Sequence, residues 1–508
     1  MTLQENNGVA LIDLPTGRIT TVFSAGTATI SGIDTRKDGV IDLTGSITGV
    51  PREPDAVAWV DDRYLATANE GDWHGGTRGW SVFDSRTGRV AWDAGNTFER
   101  LAVTYGLHNE DRAGKKGTEP EGVAVAEYGG VRYAFVGSER SNFVAVYDLG
   151  NPTKPVFRQV LPTTNGPEGL LPIPSRGLLA VSSEEDDASV NVRASVSLFQ
   201  LGKGTTEFPS IVSGADRTGT PIGWGALGAL SAVPGKRDEL YSVTDAAYSQ
   251  TRILTIDAHR SPALITDALP VRDAAGAPVG YDAEGIFARP QGGFWLAVEG
   301  AKGAENKLVR LDAAGVTRQT VALPAEVAAG LGKQGLEGVT ATTDPQGREI
   351  VWVAVQRELS TDPAGIVRLG RYDVTAGTWS WFGYQLGATT VPGDWMGLSE
   401  ITVVGDRLAV IERDKLNGPA ATVKRIYTVP LPGAAATGPL TVLPKTLAVD
   451  VLPALRATNG WTQEKLEGLT VAGNGEVYAI TDNDGVQDAT GETVLLQLGS
   501  SRKVFGRN

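Results

Sequence analysis

Eight short segments along the chain share one pattern, an apolar run entered through an acidic residue and a glycine. They read EPDAVAWV (53–60), EPEGVAVAE (119–127), GPEGLLPIP (166–174), ALGALSAVP (226–234), DAEGIFARP (282–290), GLEGVTATT (335–343), GLSEITVV (397–404) and KLEGLTVAG (465–473). Their spacing runs from 47 to 67 residues. Seven carry a carboxylate near the start: Asp55, Glu121, Glu168, Glu284, Glu337, Glu400 and Glu467; the fourth has none. After each copy comes a turn and a second run rich in β-branched and aromatic residues, such as YAFVGSE, FWLAVEG or LAVIERD. A third run follows, such as FVAVYDL or RIYTVP, and often a more polar fourth. Alternation at period two with Gly, Pro, Asp and Asn at the turns reads as antiparallel strands joined by hairpins.

Four short strands per unit, repeated at this interval, predict an all-β chain built as a β-propeller of four-stranded antiparallel blades. Eight first strands predict eight blades, or seven if one irregular copy is not a blade. The count also permits two smaller rings, but no linker divides the chain, so residues 1–508 are expected to form a single domain. Residues 2–26 read as strands two, three and four of a blade whose first strand is missing. Either they pair with the last run, 492–506, and close the ring, or an upstream strand has been lost; closure is the expectation. One short helix is expected within 325–335. Insertions at 91–118, 184–194 and 385–397 are expected on the faces, where repeat folds carry function.

Composition removes several kinds of chemistry. The 508 residues hold 46 Lys and Arg against 59 Asp and Glu, a net charge of −13, and no clustered basic run, which argues against a nucleic-acid partner. There is no cysteine, hence no disulfide, thiolate nucleophile or iron–sulfur cluster. Only three histidines occur, His74, His108 and His259, too few to favour a three-histidine zinc site. No apolar run has the length of a transmembrane segment. The start, MTLQENNGVALIDL, has no signal-peptide pattern, so the chain is cytoplasmic or its targeting segment lies outside this sequence. Neither a Gly-x-Ser-x-Gly elbow nor a Gly-rich phosphate loop is present.

In a propeller the first strand of each blade lines the central channel, so the repeated carboxylates would ring its mouth. A second acidic series ends the second strands: Glu70, Glu139, Glu184, Asp245, Glu299, Glu358, Glu412 and Asp482. Antiparallel pairing puts both series at one end. Two readings stand side by side. The carboxylates can accept backbone N–H groups and lock blade to blade. Alternatively they hold a hard cation, Ca²⁺, with Glu121, Glu168, Glu284, Glu400, Asp482 and Asp484 as the candidate ligands. Departures from the repeat mark further candidates. ANEGDWHGGTRGW (68–80) puts Glu70 and His74 in one loop, and TDNDGVQD (481–488) has the look of a calcium loop without its terminal Glu. Arg140, Arg357 and Arg413 stand beside carboxylates, where they either bind an anionic substrate or neutralise the ring. Glu70, His74, Glu337 and Glu467 are the catalytic candidates.

From about 280 to the C-terminus, at 508, the order DAEGIF, FWLAVEG, GLEGVTA, VAVQRE, GLSEITVVGDRLAVIERD, LPKTLAVDV, EKLEGLTV and YAITDNDG resembles the phytase-like domain, the esterase-like activity of phytase family. From about 2 to 160, REPDAVAWV, ATANEGD, GTEPEGVAV and YAFVGSERSNFVAVYDL resemble the propeller of choice-of-anchor I proteins. The resemblance implies an exported bacterial propeller, secreted or at the cell surface, that hydrolyses phosphate or carboxylic esters. The expected partner is a small anionic or ester substrate, and a monomer is the default. A non-enzymatic binding or scaffold propeller is the alternative, and a lactonase-like hydrolase a third reading.

Overall fold

The computed structural model describes residues 1–188, 192–204, 206, 208–433, 440–487 and 491–506. Asp488, part of the TDNDGVQD segment, lies outside them. All eight repeated segments form strands: Val57–Trp59, Pro120–Tyr128, Pro167–Ile173, Leu227–Ala232, Asp282–Ala288, Leu336–Thr343, Met396–Val404 and Leu466–Val471. Each opens an antiparallel sheet in which the strands pair in chain order. Five of these sheets have four strands; those opened by Pro167 and Leu466 have three, and the one opened by Leu227 gains a fifth, Ile211–Ser213.

The chain gathers into two compact units. Unit 1 comprises residues 1–208, 217–225 and 484–492; unit 2 comprises 209–216, 226–483 and 493–508. In unit 1 the strands Val57–Trp59 and Pro167–Ile173 both lie beside Pro120–Tyr128. Its core includes Trp80, Phe98, Phe143 and Tyr147. In unit 2 five first strands are neighbours in succession. Leu227–Ala232 lies beside Asp282–Ala288, then come Leu336–Thr343, Met396–Val404 and Leu466–Val471, and the last lies beside Leu227–Ala232 again. A cavity of about 250 Å³ is lined by all five. Successive sheets share their apolar faces: Trp295 of one is buried in a cluster with Val351 and Val353 of the next.

The Glu-Gly pair has a local cause. The pairing register of every unit 2 first strand slips by one residue there: between Leu227 and Ala229, Ala283 and Gly285, Glu337 and Val339, Leu398 and Glu400, and Leu466 and Gly468. A bulge bends the strand and re-aims one side chain. The same slip occurs in unit 1 at Glu121–Gly122 and at Glu168. The glycine is needed because the next first strand passes against it. A methyl on Gly285 would lie 2.6 Å from Gly338 C and Val339 N. On Gly468 it would lie 2.5 Å from Ile480 Cγ2 and 3.0 Å from Ala229 C. At Gly338, where φ is +51°, it would collide with Glu400 and with Ile401 N.

Alignment on these bulges corrects the repeat. Leu398-Ser399-Glu400-Ile401 matches Ala283-Glu284-Gly285-Ile286 and Leu466-Glu467-Gly468-Leu469, so Ser399 stands in the glutamate position and Glu400 in the glycine position. In the fourth copy Gly228 replaces the glutamate and Ala229 the glycine.

Two further expectations are corrected. The N-terminal strands do not join the last sheet: Thr2–Leu3, Gly8–Asp13 and Arg18–Ser24 pair only with one another. The last sheet ends at Leu495–Ser500 and continues into the helix Ser501–Phe505. A short helix does form at Ala325–Gly330, but the 91–118 insertion also contains Thr97–Thr104 and Glu110–Ala113. There Phe98, Ala102 and Val103 are buried, an apolar spacing hidden by the charges around it.

Substituting Gly285 by Ala is expected to destabilise the protein by roughly 1–3 kcal/mol, because backbone cannot yield as a flexible side chain would. Gly202→Ala, at an exposed site with nothing within 4 Å of the new methyl, is expected to be close to neutral. Thermal melts of the two variants check this.

Candidate functional site

The bulges of unit 2 gather a set of acidic groups. Asp282 opens one first strand and pairs in register with Glu299 at the end of the adjoining strand. Asp282, Glu284 and Glu299 each bring a carboxylate oxygen within 4.8 Å of the other two. Gln356 Nε2 donates to Glu337 Oε1, while Glu337 Oε2 is buried without a partner among the described residues. Glu467 is held by Arg413, whose Nη2 lies 2.8 Å from Oε1, and Arg413 Nη1 reaches Glu464 at 3.3 Å. Lys465 Nζ lies 3.2 Å from Asp482 Oδ2. Asp245 and Asp482 offer carboxylate oxygens within 4.8 Å of each other. The Trp395 ring carries Arg357 at 5.0 Å and Arg413 at 5.5 Å from its centroid, two cation–π contacts that fix both guanidinium groups.

Burial and mutual repulsion shape the electrostatics. Glu284 is raised well above the usual carboxylate range by burial, then by Glu337, Glu467 and Asp245. Burial raises Glu337 likewise, with Glu299 and Glu467 adding to it and Arg413 opposing. Glu299 is pushed up to about 7, chiefly by burial and further by Asp282 and Glu467, against a hydrogen bond from Gly335 N–H. Glu400 serves another purpose. It is buried among the first strands, accepts Ile401 N–H at 2.8 Å, and is also stabilised by the N–H groups of Leu230 and Leu469.

Unit 1 has its own carboxylates. Asp55, Glu70 and Glu121 lie together, as do Glu70, Glu119 and Glu139. Burial, followed by Glu139, Glu70 and Glu168, pushes Glu121 up to about 9. Glu139 rises to about 7 through burial, although Arg140 Nη2 stands 2.7 Å from it. Gln4 Nε2 donates to Glu70 at 2.7 Å, and Arg112 grips Glu119 with two bonds of 2.7 and 2.8 Å.

The sequence candidates are therefore divided. Glu284, Glu337, Glu467, Asp482 and Arg413 meet in the unit 2 cluster, with Arg357 beside it through Trp395. Glu400 belongs to the strand packing of the same unit. Glu70, Glu121, Glu168 and Arg140 are in unit 1. His74 is exposed and stacks on Trp73 at 4.0 Å, apart from the carboxylates. Asp484 begins the turn Asp484–Val486 in unit 1 with φ of +49°.

Three residues had escaped notice. Asp282 stands two positions before Glu284, the spacing that also separates Glu53 from Asp55 and Glu119 from Glu121 in unit 1. Trp395, in the 385–397 insertion, orders the two arginines. Glu53 accepts the N–H groups of Asp72, Trp73 and His74 at 2.7–2.8 Å and so clamps the loop that carries His74. Its legible signal was the Glu-Pro dipeptide, because Glu53 and Glu119 both take a positive φ, 45° and 44°, just before proline.

A cavity of about 390 Å³ in unit 1 contains none of these groups; Tyr128, Phe135, Leu179, Phe199 and Arg158 help line it.

The family model phytase-like, described as esterase-like activity of phytase, matches residues 222–485, just over half of the chain and the whole of the unit 2 cluster. The chain belongs to the phytase-like family. The choice-of-anchor I domain matches residues 1–75 and 73–152 of this phytase-like protein. No curated protein gave a match. Among solved structures, a hypothetical selenium-binding protein from Sulfolobus tokodaii is 11% identical over 81% of this chain and 80% of its own, with a TM-score of 0.30. Kluyveromyces lactis Hsv2 is 7% identical over 75% and 92%, with a TM-score of 0.21. At TM-scores this low the superpositions carry no argument for fold or function.

The raised carboxylates give a signed pH prediction. Glu299 binds its proton more tightly folded, at about 7, than at the ordinary 4.5, so its favourable contribution is complete below about 4.5 and is lost as pH rises through about 7. In chelator-treated protein, stability is expected to fall between pH 5 and pH 8. Glu299→Gln is expected to flatten that slope, as measured by denaturant melts across the range.

Proposed function

We propose that this phytase-like chain is a hydrolase of phosphate or carboxylic esters working at the carboxylate cluster of unit 2. We take unit 2 to be a five-bladed propeller with the cluster at the strand entrances around its axis. One observation supports this above others: Asp282, Glu284 and Glu299 converge beside the partnerless Glu337 Oε2, within the segment matched by the family model. The donor set is all oxygen and its members repel one another, which suits Ca²⁺ held by Asp282, Glu284 and Glu299. Such an ion would polarise the ester oxygen and acidify a bound water.

The chain's own groups have separate tasks. Glu337, held well above the usual carboxylate range by burial and its acidic neighbours, is the group suited to supply the proton taken by the leaving alkoxide. Arg357, half-buried and steadied on Trp395, contacts the anionic group of the substrate. Arg413 is already engaged by Glu467 and Glu464 and positions Glu467 rather than substrate.

The competing reading is a binding scaffold without chemistry. Glu400 favours it, because its Oε1 accepts Ile401 N–H within the packed first strands. The two diverge under test with p-nitrophenyl phosphate and p-nitrophenyl acetate. EDTA is expected to abolish hydrolysis and Ca²⁺ to restore it. Glu337→Gln is expected to lower kcat by about 10²–10⁴-fold with little change in stability. Arg357→Ala is expected to raise KM for the phosphate ester but not for the acetate. Hydrolysis no faster than buffer, with or without Ca²⁺, would refute the enzyme reading.

A further inference from the structure

Unit 1 contains a second cluster that belongs to neither carboxylate group described above. Asp34 follows the strand Thr27–Ile33, and His108 and Glu110 lead into the helix Glu110–Ala113. His108 and Asp34 are 1% exposed and Glu110 4%. His108 Nε2 lies 3.8 Å from Asp34 Oδ2 and 3.7 Å from Glu110 Oε2. Neither ring nitrogen of His108, nor Glu110 Oε2, has a hydrogen-bond partner among the described residues. A buried polar group left unpaired costs about 1–3 kcal/mol, so His108 Nε2 and Glu110 Oε2 facing each other at 3.7 Å call for an explanation.

An ion pair does not supply it. A protonated imidazole beside a carboxylate draws in to about 2.7–2.9 Å, and both separations here exceed any hydrogen bond. The distances suit a shared third partner instead. Two ligand atoms each about 2.0–2.2 Å from one metal ion at a tetrahedral angle stand roughly 3.3–3.6 Å apart, within a small contraction of what is seen.

The surroundings fix the two carboxylates. Asp34 accepts Arg36 N–H at 3.1 Å on Oδ1 and Asp42 N–H at 2.8 Å on Oδ2. Glu110 Oε1 accepts Asp38 N–H at 3.0 Å and Gly39 N–H at 2.9 Å, which leaves Oε2 turned toward His108. The Asp34 carboxyl is raised to about 6, mainly by burial, a displacement that a nearby cation would reverse.

We propose that Asp34, His108 and Glu110 bind one divalent transition-metal ion of the Zn²⁺ class, which ties the 34–42 loop to the helix Glu110–Ala113. The imidazole decides the class. Ca²⁺ and Mg²⁺ take oxygen ligands, whereas one nitrogen with two carboxylate oxygens suits Zn²⁺ and its neighbours. The role is structural, since all three ligands are buried.

The chain has only three histidines, which makes the test direct. Chelator-stripped full-length protein is titrated with Zn²⁺ in excess Ca²⁺, which occupies the all-oxygen clusters, while histidine ring resonances and the melting temperature are followed. One equivalent of Zn²⁺ is expected to shift the His108 resonances, to leave those of His74 and His259 in place, and to raise the melting temperature by several degrees. His108→Gln is expected to lose that uptake and His74→Gln to retain it. Because His108→Gln may not fold, the wild-type resonances decide independently. An unmoved His108 signal at one equivalent, or equal Zn²⁺ uptake by folded His108→Gln, overturns the proposal.

Discussion

The close approach of neighbouring first strands at the Glu-Gly bulge is the constraint on which the rest depends. Gly285 faces the backbone of Gly338, Gly338 faces Ile401, and Gly468 faces Ala229. Ser399 Oγ completes the sequence by donating to Leu466 O at 2.6 Å. The strands can pass this closely only where the facing residue has little or no side chain. The same bulge leaves Glu284 and Glu467 without a paired residue on the second strand. Packing and charge placement therefore have one origin. The structural and functional readings of the repeat divide the pair, with the glycine answering to packing and the glutamate joining the acidic cluster.

That geometry concentrates acidic groups beyond what the local cations neutralise. In unit 2, Arg413 and Lys465 face Asp282, Glu284, Glu299, Glu337, Glu467 and Asp482. Burial raises Glu284 and Glu337 well above the usual carboxylate range and pushes Glu299 up to about 7. Perturbed carboxylates of this kind gather where chemistry or cation binding occurs. Copies that depart from the pattern are informative. Gly228 removes one carboxylate from the set, and Ser399 replaces another with a hydroxyl that bonds to backbone. The repeated carboxylate is thus retained in three of the five first strands, as Glu284 and Glu337 on neighbouring strands and as Glu467 between the two strands that lack it.

The strands and the common end of the two acidic series were legible in the sequence, because period-two alternation and antiparallel pairing fix both. Less visible was which strands neighbour which, since that depends on contacts between residues hundreds of positions apart, as between Leu227–Ala232 and Leu466–Val471. Glu400 looked like a member of the ring because letters alone cannot reveal a one-residue bulge; the register puts it in the glycine position. His108 is not marked as a ligand by the letters, because Asp34 lies far from it in sequence and Glu110 opens a four-residue helix that carries no long period. Trp395 lies within the 385–397 insertion, but its grip on two arginines arises only when the loop is folded.

Calorimetric titration of Ca²⁺ into chelator-stripped protein at pH 7, repeated in buffers of different ionisation enthalpy, tests the central claim most directly. A cation bound by carboxylates that are protonated when it is absent must displace protons. The account predicts measurable proton release on binding, and less release with weaker binding in Glu284→Gln. Binding without proton release, or release and affinity unchanged in Glu284→Gln, would contradict it.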